Sequence, residues 1–378
     1  MIRTNQRRSF PIPYSPFPIQ NWLIVAGLLF SAITAAQEPQ YFDQPAEAPH
    51  FLFRWDFLAR YDNIYHLRVR PDIERGRFEF RPELDFQTSD RFFIGVRAVG
   101  DLGTDDSANN LRNFDNYHSR GATIERYYIE AKPGPLVIRA GAFGMPLVAS
   151  EMLWDRDIQT PGLSLAWQIP TGGSTLTLAG AGFYGPQRNS DQTRIWVGQT
   201  VWRIGDPDHF SLEAAASYWH FEPENLDPGY IRQNYFELVN GRPQYVSNFH
   251  LGDLLLRLRF PLGSVPITLS LDGIHNFGTR EEAIGDEDAF EGSVAVGRLG
   301  NPGDWRVFCT FQYVERDAVI GAYNTDDWWF HSWYRGVRTG LALTILPRVF
   351  IEGTVTFQRR LDLQGTLNRI TVDLVKMF

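Results

Sequence analysis

In the stretch RFEFRPELDF (Arg77–Phe86) apolar and charged residues alternate. Phe78, Phe80, Leu84 and Phe86 fall on one face of an extended strand, with Arg77, Glu79, Arg81, Glu83 and Asp85 on the other. The two-residue period recurs from Pro49 to the end of the chain, and no segment there sustains a helical period. Val265, Ile267, Leu269 and Leu271 oppose Thr268, Ser270 and Asp272. Val349, Ile351, Val355 and Phe357 oppose Glu352, Thr354 and Gln358. Trp305, Val307, Cys309, Phe311 and Tyr313 share an apolar face. Such strands fit either a soluble sandwich, with the apolar face on a core, or a membrane barrel, with that face on lipid and a wet lumen inside.

Strand length and loop rhythm decide between them. The segments run about 9–13 residues, enough to cross a bilayer, whereas globular strands are usually nearer 5–6. Short turns at 87–91, 132–135, 170–174, 205–209, 262–264, 301–304 and 346–348 carry mostly Gly, Pro, Asn and Asp. They alternate with longer connections at 102–120, 145–160, 185–192, 222–247, 277–288, 316–333 and 359–367. This rhythm belongs to a barrel with tight turns at one end and long loops at the other. Counting back from Phe378 gives about sixteen strands, from 368–378 to a first strand within 51–72, or eighteen if 59–72 holds a hairpin. The predicted fold is all-β: a transmembrane antiparallel up-and-down β-barrel over residues 51–378. Trp305, Tyr313, Trp333 and Tyr334 lie near strand ends, where an aromatic girdle is expected.

The two chain ends fit this picture. Residues 1–36 read as a secretory signal: Arg3, Arg7 and Arg8, the apolar run Trp22–Phe30, then small residues to Ala36. Residues 37–50 form a short lead-in. The last segment, NRITVDLVKMF, places Ile370, Val372, Leu374 and Phe378 on the lipid face of a closing strand, with Lys376 able to reach the interface. Its final Phe378 resembles the signal read by the outer-membrane assembly machinery.

Composition narrows the chemistry. A net charge of −8 gives no basic footprint for nucleic acid. One cysteine, Cys309, excludes a disulfide framework. Neither a G-x-S-x-G nor an H-E-x-x-H motif is present, and His220, His250 and His275 read as rim residues. The acidic stretch 100–110 lacks calcium-loop spacing. No catalytic residue, metal or cofactor is predicted.

Chemistry therefore falls to the lumen. Alternation turns Arg54, Arg68, Arg70, Arg77, Arg81, Arg97, Arg126, Arg139, Arg257, Arg259 and Arg306 inward, with Glu79, Glu83, Asp85, Glu130, Asp253, Asp272 and Glu352. Rows of opposite charge stiffen a wet wall and select solutes by charge. The loop 145–160 carries Met145, Leu147, Val148, Met152, Leu153 and Trp154 beside Glu151, Asp155, Arg156 and Asp157. It is too apolar to stand in water, so it folds into the pore, packs on the rim or meets another subunit. The predicted pore-lining and constriction set is Arg97, Arg126, Glu130, Arg139, Glu151, Asp155, Arg156, Asp157, Arg257 and Arg259.

The block Ile124–Trp167, with Trp154-Asp155-Arg156-Asp157 followed by Gly162, resembles a bacterial family of outer-membrane β-barrel porins. The resemblance implies an outer-membrane barrel of about sixteen strands that lets small hydrophilic solutes diffuse through a charged lumen. Outer-membrane lipid is the expected environment, and a homotrimer suits a barrel of this size. The alternatives are a specific channel for an anionic or carbohydrate ligand, a barrel enzyme, and a plugged structural anchor.

Overall fold

The computed structural model describes residues 49–66, 72–103, 121–185, 193–206, 209–224 and 232–377. The expected signal and lead-in to residue 48, Arg68, Arg70, most of the 102–120 and 185–192 loops, and Phe378 lie outside them. The first strands are β1 (His50–Tyr65), β2 (Ile73–Ser89), β3 (Phe92–Gly103), β4 (Gly121–Ala131), β5 (Leu136–Phe143) and β6 (Thr160–Pro170). Next come β7 (Ser174–Tyr184), β8 (Arg194–Gly205), β9 (Ser211–Glu222), β10 (Phe236–Val239), β11 (Arg242–Tyr245) and β12 (Phe249–Leu262). The last are β13 (Val265–Asn276), β14 (Asp288–Gly297), β15 (Trp305–Val314), β16 (Tyr334–Leu346), β17 (Val349–Arg360) and β18 (Leu367–Lys376).

Sixteen of these strands pair antiparallel with their chain neighbours and close into one barrel. The pair β10–β11 is a separate hairpin within the β9–β12 loop. Its Asn240-Gly241 turn has φ of 53° and 77°, the left-handed pair that a tight hairpin needs.

β1 and β18 seal the barrel in register from Phe57 opposite Lys376 to Tyr65 opposite Asn368. Closure leaves no unpaired edge in lipid. Lys376 points outward, as alternation requires. Its ammonium sits 3.2 Å from the Trp55 ring centroid and donates to the Trp55 carbonyl at 2.9 Å, so the seam tolerates a cation at an apolar step.

The outer surface exposes Phe78, Leu84, Ile94, Ile129, Leu165, Leu178, Leu254, Leu341, Ile351 and Val372, whereas their strand neighbours inside are charged or buried. On a soluble protein such a belt would be an aggregation site; on this barrel it is the lipid face. Trp305 and Tyr313 lie on that face, as expected, and Cys309 points the same way. Tyr334 does not. It is 1% exposed, it shares the inward parity of Arg338, and its hydroxyl donates to Gln312. It belongs to the lumen, and the girdle assignment for it is corrected.

Two irregularities shape the inner face. At β3–β4 the register shifts after Arg97, so Glu125 and Arg126 both turn inward where period two allows one. At Gly141, φ is +124° and an added Cβ would strike the Tyr127 carbonyl oxygen. Gly141→Ala is expected to lose ~1–3 kcal/mol, read as a lower temperature at which the folded barrel unfolds in detergent.

Candidate functional site

The inner wall is divided. On β1–β4 it carries mainly arginine and acid, and on β15–β18 largely threonine and glutamine, with Arg338, Arg369 and Asp373 among them. On β7–β9 and β12–β13 the inward positions nearer the long loops are apolar: Phe183, Ile195, Val197, Trp219, Phe221, Leu251 and Ile274, all at most 6% exposed. Such side chains have no reason to line water. They are covered by two long loops that fold into the barrel.

The first loop, 144–159, joins β5 to β6. Leu147, Met152, Leu153, Trp154 and Ile158 are buried in the same apolar cluster as those wall residues, and Val148 packs on Val201, Ala215 and Leu255. Gln199 of β8 fixes the loop backbone: it accepts from the Val148 N–H at 2.9 Å and donates to the Val148 carbonyl at 2.6 Å. Inward folding, rather than rim packing, is therefore the loop's position.

The second loop, 315–333, joins β15 to β16. Ala318, Val319, Ile320, Tyr323 and Trp328 are buried with the first loop. Gln358 of β17 grips it in the same way, accepting from the Trp329 and Phe330 N–H groups at 2.8 and 3.0 Å. Asn234, ahead of β10, caps it by donating to the Arg316 and Val319 carbonyls and accepting from the Gly321 N–H.

The loops lock together. Trp154 stacks on Tyr323 with centroids 5.5 Å apart and planes 5° from parallel, and on Trp219 at 5.9 Å. The Asp155 N–H donates to the Tyr323 carbonyl at 2.6 Å, and the Thr325 N–H to the Glu151 carbonyl at 3.0 Å.

Charges tie this pair to the opposite wall. Asp157 faces Arg81 at 3.4 Å, and Gln159 accepts from Arg126 at 3.1 Å. Glu151 pairs with Arg338 of β16 at 2.8 Å. Asp327 pairs with Arg338 at 2.8 Å and Arg60 at 3.0 Å, and Asp326 with Arg77 at 3.6 Å. Behind them Arg60 holds Asp373 in a fork, both bonds 2.9 Å, and Asp62 accepts from Arg75 and Arg369. Arg97 pairs with Glu125 at 2.5 Å, and Arg126 faces Glu83 at 3.6 Å.

The loop acids divide by environment. Burial opposes the charge on Asp327, but Arg338 and Arg60 hold it well below the usual carboxylate range; Arg81 and Arg156 act the same way on Asp157. Asp155 lies buried beside Asp157 and Asp326 and is pushed well above that range. It works as a backbone clamp, accepting from the Asp157 and Asp326 N–H groups. Arg156 is the reverse case. Its side chain is exposed to lumen solvent and is held in no ion pair among the described residues.

The remaining predicted residues sit elsewhere in the lumen. Glu130, Arg139 and Lys132 form a cluster near the β4–β5 turn. Arg257, with Arg203 and Glu213, lies near the β12–β13 turn, and Arg259 is half-buried beside them. Sequence reading missed Arg60, Arg75, Arg338 and Arg369. Parity with outward Val337 and Leu341 could have found Arg338. The 316–333 segment was read as a long connection but its inward position was missed, although the apolar inward faces of β8, β9 and β12 signalled that something covers them.

Glu315, at the root of the second loop, accepts from the Asp288 N–H at 2.8 Å and the Tyr313 hydroxyl at 3.1 Å. Burial, helped by the charge of Asp288, raises it to about 7. The folded chain thus binds this proton more tightly than an unfolded one, whose value is near ~4.3. Its contribution to stability is greatest at low pH and declines as pH climbs toward the folded value. Asp155, Asp317 and Asp286 shift the same way. The unfolding temperature is therefore expected to fall between pH ~5 and ~8, and Glu315→Gln to flatten that slope.

A closed sixteen-stranded barrel with loops folded into a charged lumen is a porin-type fold. Solved structures share it. Pseudomonas putida OprB in its high-pH structure superimposes with a TM-score of 0.58 at 11% identity, over 86% of this chain and 93% of that one. Salmonella typhi OmpF in complex with daunomycin gives 0.51 at 11% identity, over 86% and 97%. A mutant of the Rh. blastica porin gives 0.46 at 11% identity, over 86% and 100%. No family model matches the chain, and no curated protein is similar to it in sequence. At these identities the likeness to OprB and OmpF establishes the fold alone.

Proposed function

We propose that this protein is an outer-membrane porin through which small hydrophilic solutes diffuse passively, and that it performs no catalysis. The reading rests on one observation above all: a barrel with a lipid-facing exterior encloses rows of paired arginines and acids, among which Arg156 stays open to solvent. Residues 1–36 direct export, Phe378 serves assembly, and the short turns face the periplasm. Two inward loops set the cutoff. The ion pairs hold their position, and the solvated charges act on the solute.

Four loop acids, Glu151, Asp157, Asp326 and Asp327, are already matched by arginines, so the unpaired Arg156 gives a mild preference for anions. This also favours the anionic branch of a specific channel over a carbohydrate one. The rings that could stack on sugar, Trp154, Trp219 and Tyr323, are at most 3% exposed because they pack on each other. The interlock gives a second reading, a plugged barrel with no current. Single-channel recording in a planar bilayer separates the readings. A steady ohmic current unaffected by added sugars supports the porin; block by one solute class supports a specific channel; absence of current supports the plug.

A further inference from the structure

Outside the lumen, two histidines meet on the rim. His220 of β9 and His250 of β12 are register partners across the sheet, close in space although thirty positions apart in sequence. Their neighbours Trp219, Phe221, Phe249 and Leu251 are buried on the inner side, so both imidazoles point outward. Their Nδ1 atoms are 3.0 Å apart. The Tyr218 hydroxyl lies 3.0 Å from the Nδ1 of His250.

A carboxylate fixes the tautomer of one ring. His220 Nε2 is 3.1 Å from a Glu222 oxygen, which accepts, so Nε2 carries the proton and Nδ1 keeps its lone pair. Metal-binding histidines are oriented in the same way, with the outer nitrogen donating to a carboxylate. Two ring nitrogens at this spacing need a proton or a cation between them. A metal ~2.1 Å from each would see them at roughly 90°, the cis angle of tetragonal or octahedral coordination rather than the wider tetrahedral angle of zinc.

We propose that His220 and His250 form an exchangeable site for copper(II) or nickel(II) on the outward rim of the barrel. A pocket of about 430 Å³, lined also by Arg194, Glu222, Glu224 and Asn248, leaves room for water ligands. Arg194, at 3.7 and 4.0 Å from Glu222 and Glu224, tempers the local negative charge. No group of three or more histidine, cysteine or acidic side chains gathers as for a metal among the described residues, so the ion has two protein nitrogens and exchanges readily. Imidazole donors favour copper and nickel over magnesium and calcium.

The test is titration of the tag-free, full-length barrel in detergent with copper(II) sulfate, followed by electron paramagnetic resonance and calorimetry. The expected result is one ion per chain with coupling to two imidazole nitrogens, unaffected by excess magnesium. His220→Ala and His250→Ala should each abolish that signal and leave conductance intact, and Glu222→Gln should weaken binding ~10-fold. If the alanine variants fail to fold, wild-type protein is treated with diethyl pyrocarbonate with and without copper, and modification of each histidine is read by mass spectrometry. Protection of His220 and His250 supports the site. Absence of bound copper, unchanged binding in both alanine variants, or protection confined to other histidines overturns it.

Discussion

A chain lacking residues 318–330, rejoined by a short glycine linker, is expected to conduct several times more current per barrel than the intact protein. The reason lies in how the lumen is filled. The second loop presses Ile320, Tyr323 and Trp328 into the apolar inner wall and holds the first loop through the Trp154–Tyr323 stack. Removing it takes Asp326 and Asp327 away from Arg77, Arg60 and Arg338. The lost rings also free the cross-section they occupied. The barrel wall itself should survive, because its strands are joined by continuous ladders and β1–β18 closes independently of the loop. Exposed inner apolar residues will cost some heat resistance. If the shortened chain folds and its current matches that of the intact protein, the second loop does not limit the passage.

The second large effect concerns charge. Arg156→Glu is expected to reverse the ion preference from anions to cations, seen as a change of sign in the reversal potential under a salt gradient. The acids around Arg156 are already engaged: Glu151 by Arg338, Asp157 by Arg81, Asp327 by Arg60 and Arg338. An exposed charge amid neutralised pairs dominates the field that a passing ion meets, and interactions at such close range are weakly screened by salt. The substitution replaces one positive with one negative charge while breaking no ion pair. An unchanged reversal potential would place selectivity in the clusters near the short turns, at Arg139 or Arg259.

Much of this molecule was legible in its alternation. A period of two carries both the strand and its facing, so strand number, the lipid belt, Cys309 and the inward Glu352, Thr354 and Gln358 follow from pattern alone. The outward Lys376 was legible too; its contact with Trp55 was not, because that depends on the closing register of β1 against β18. The doubled inward charge at Glu125 and Arg126 was hidden, since a bulge interrupts the period without changing composition. The apolar loop 145–160 announced a packed position, and the structure places it in the lumen. Its partner loop carries six acidic or basic side chains or histidines among its aromatics, Glu315, Arg316, Asp317, Asp326, Asp327 and His331, and so reads as solvated. Only the countercharges on other strands make its burial favourable. The histidine pair was invisible for a similar reason: the residues are remote in sequence and adjacent only across the β9–β12 step.

The central claim is that the charged lumen stays open to small polar solutes with both loops in place. The most direct measurement is swelling of liposomes carrying the intact protein, using neutral sugars of rising size. Swelling with the smallest sugar and a steep decline with the larger ones is the predicted result. No swelling with any sugar, from vesicles in which the barrel is shown to be folded, would contradict it.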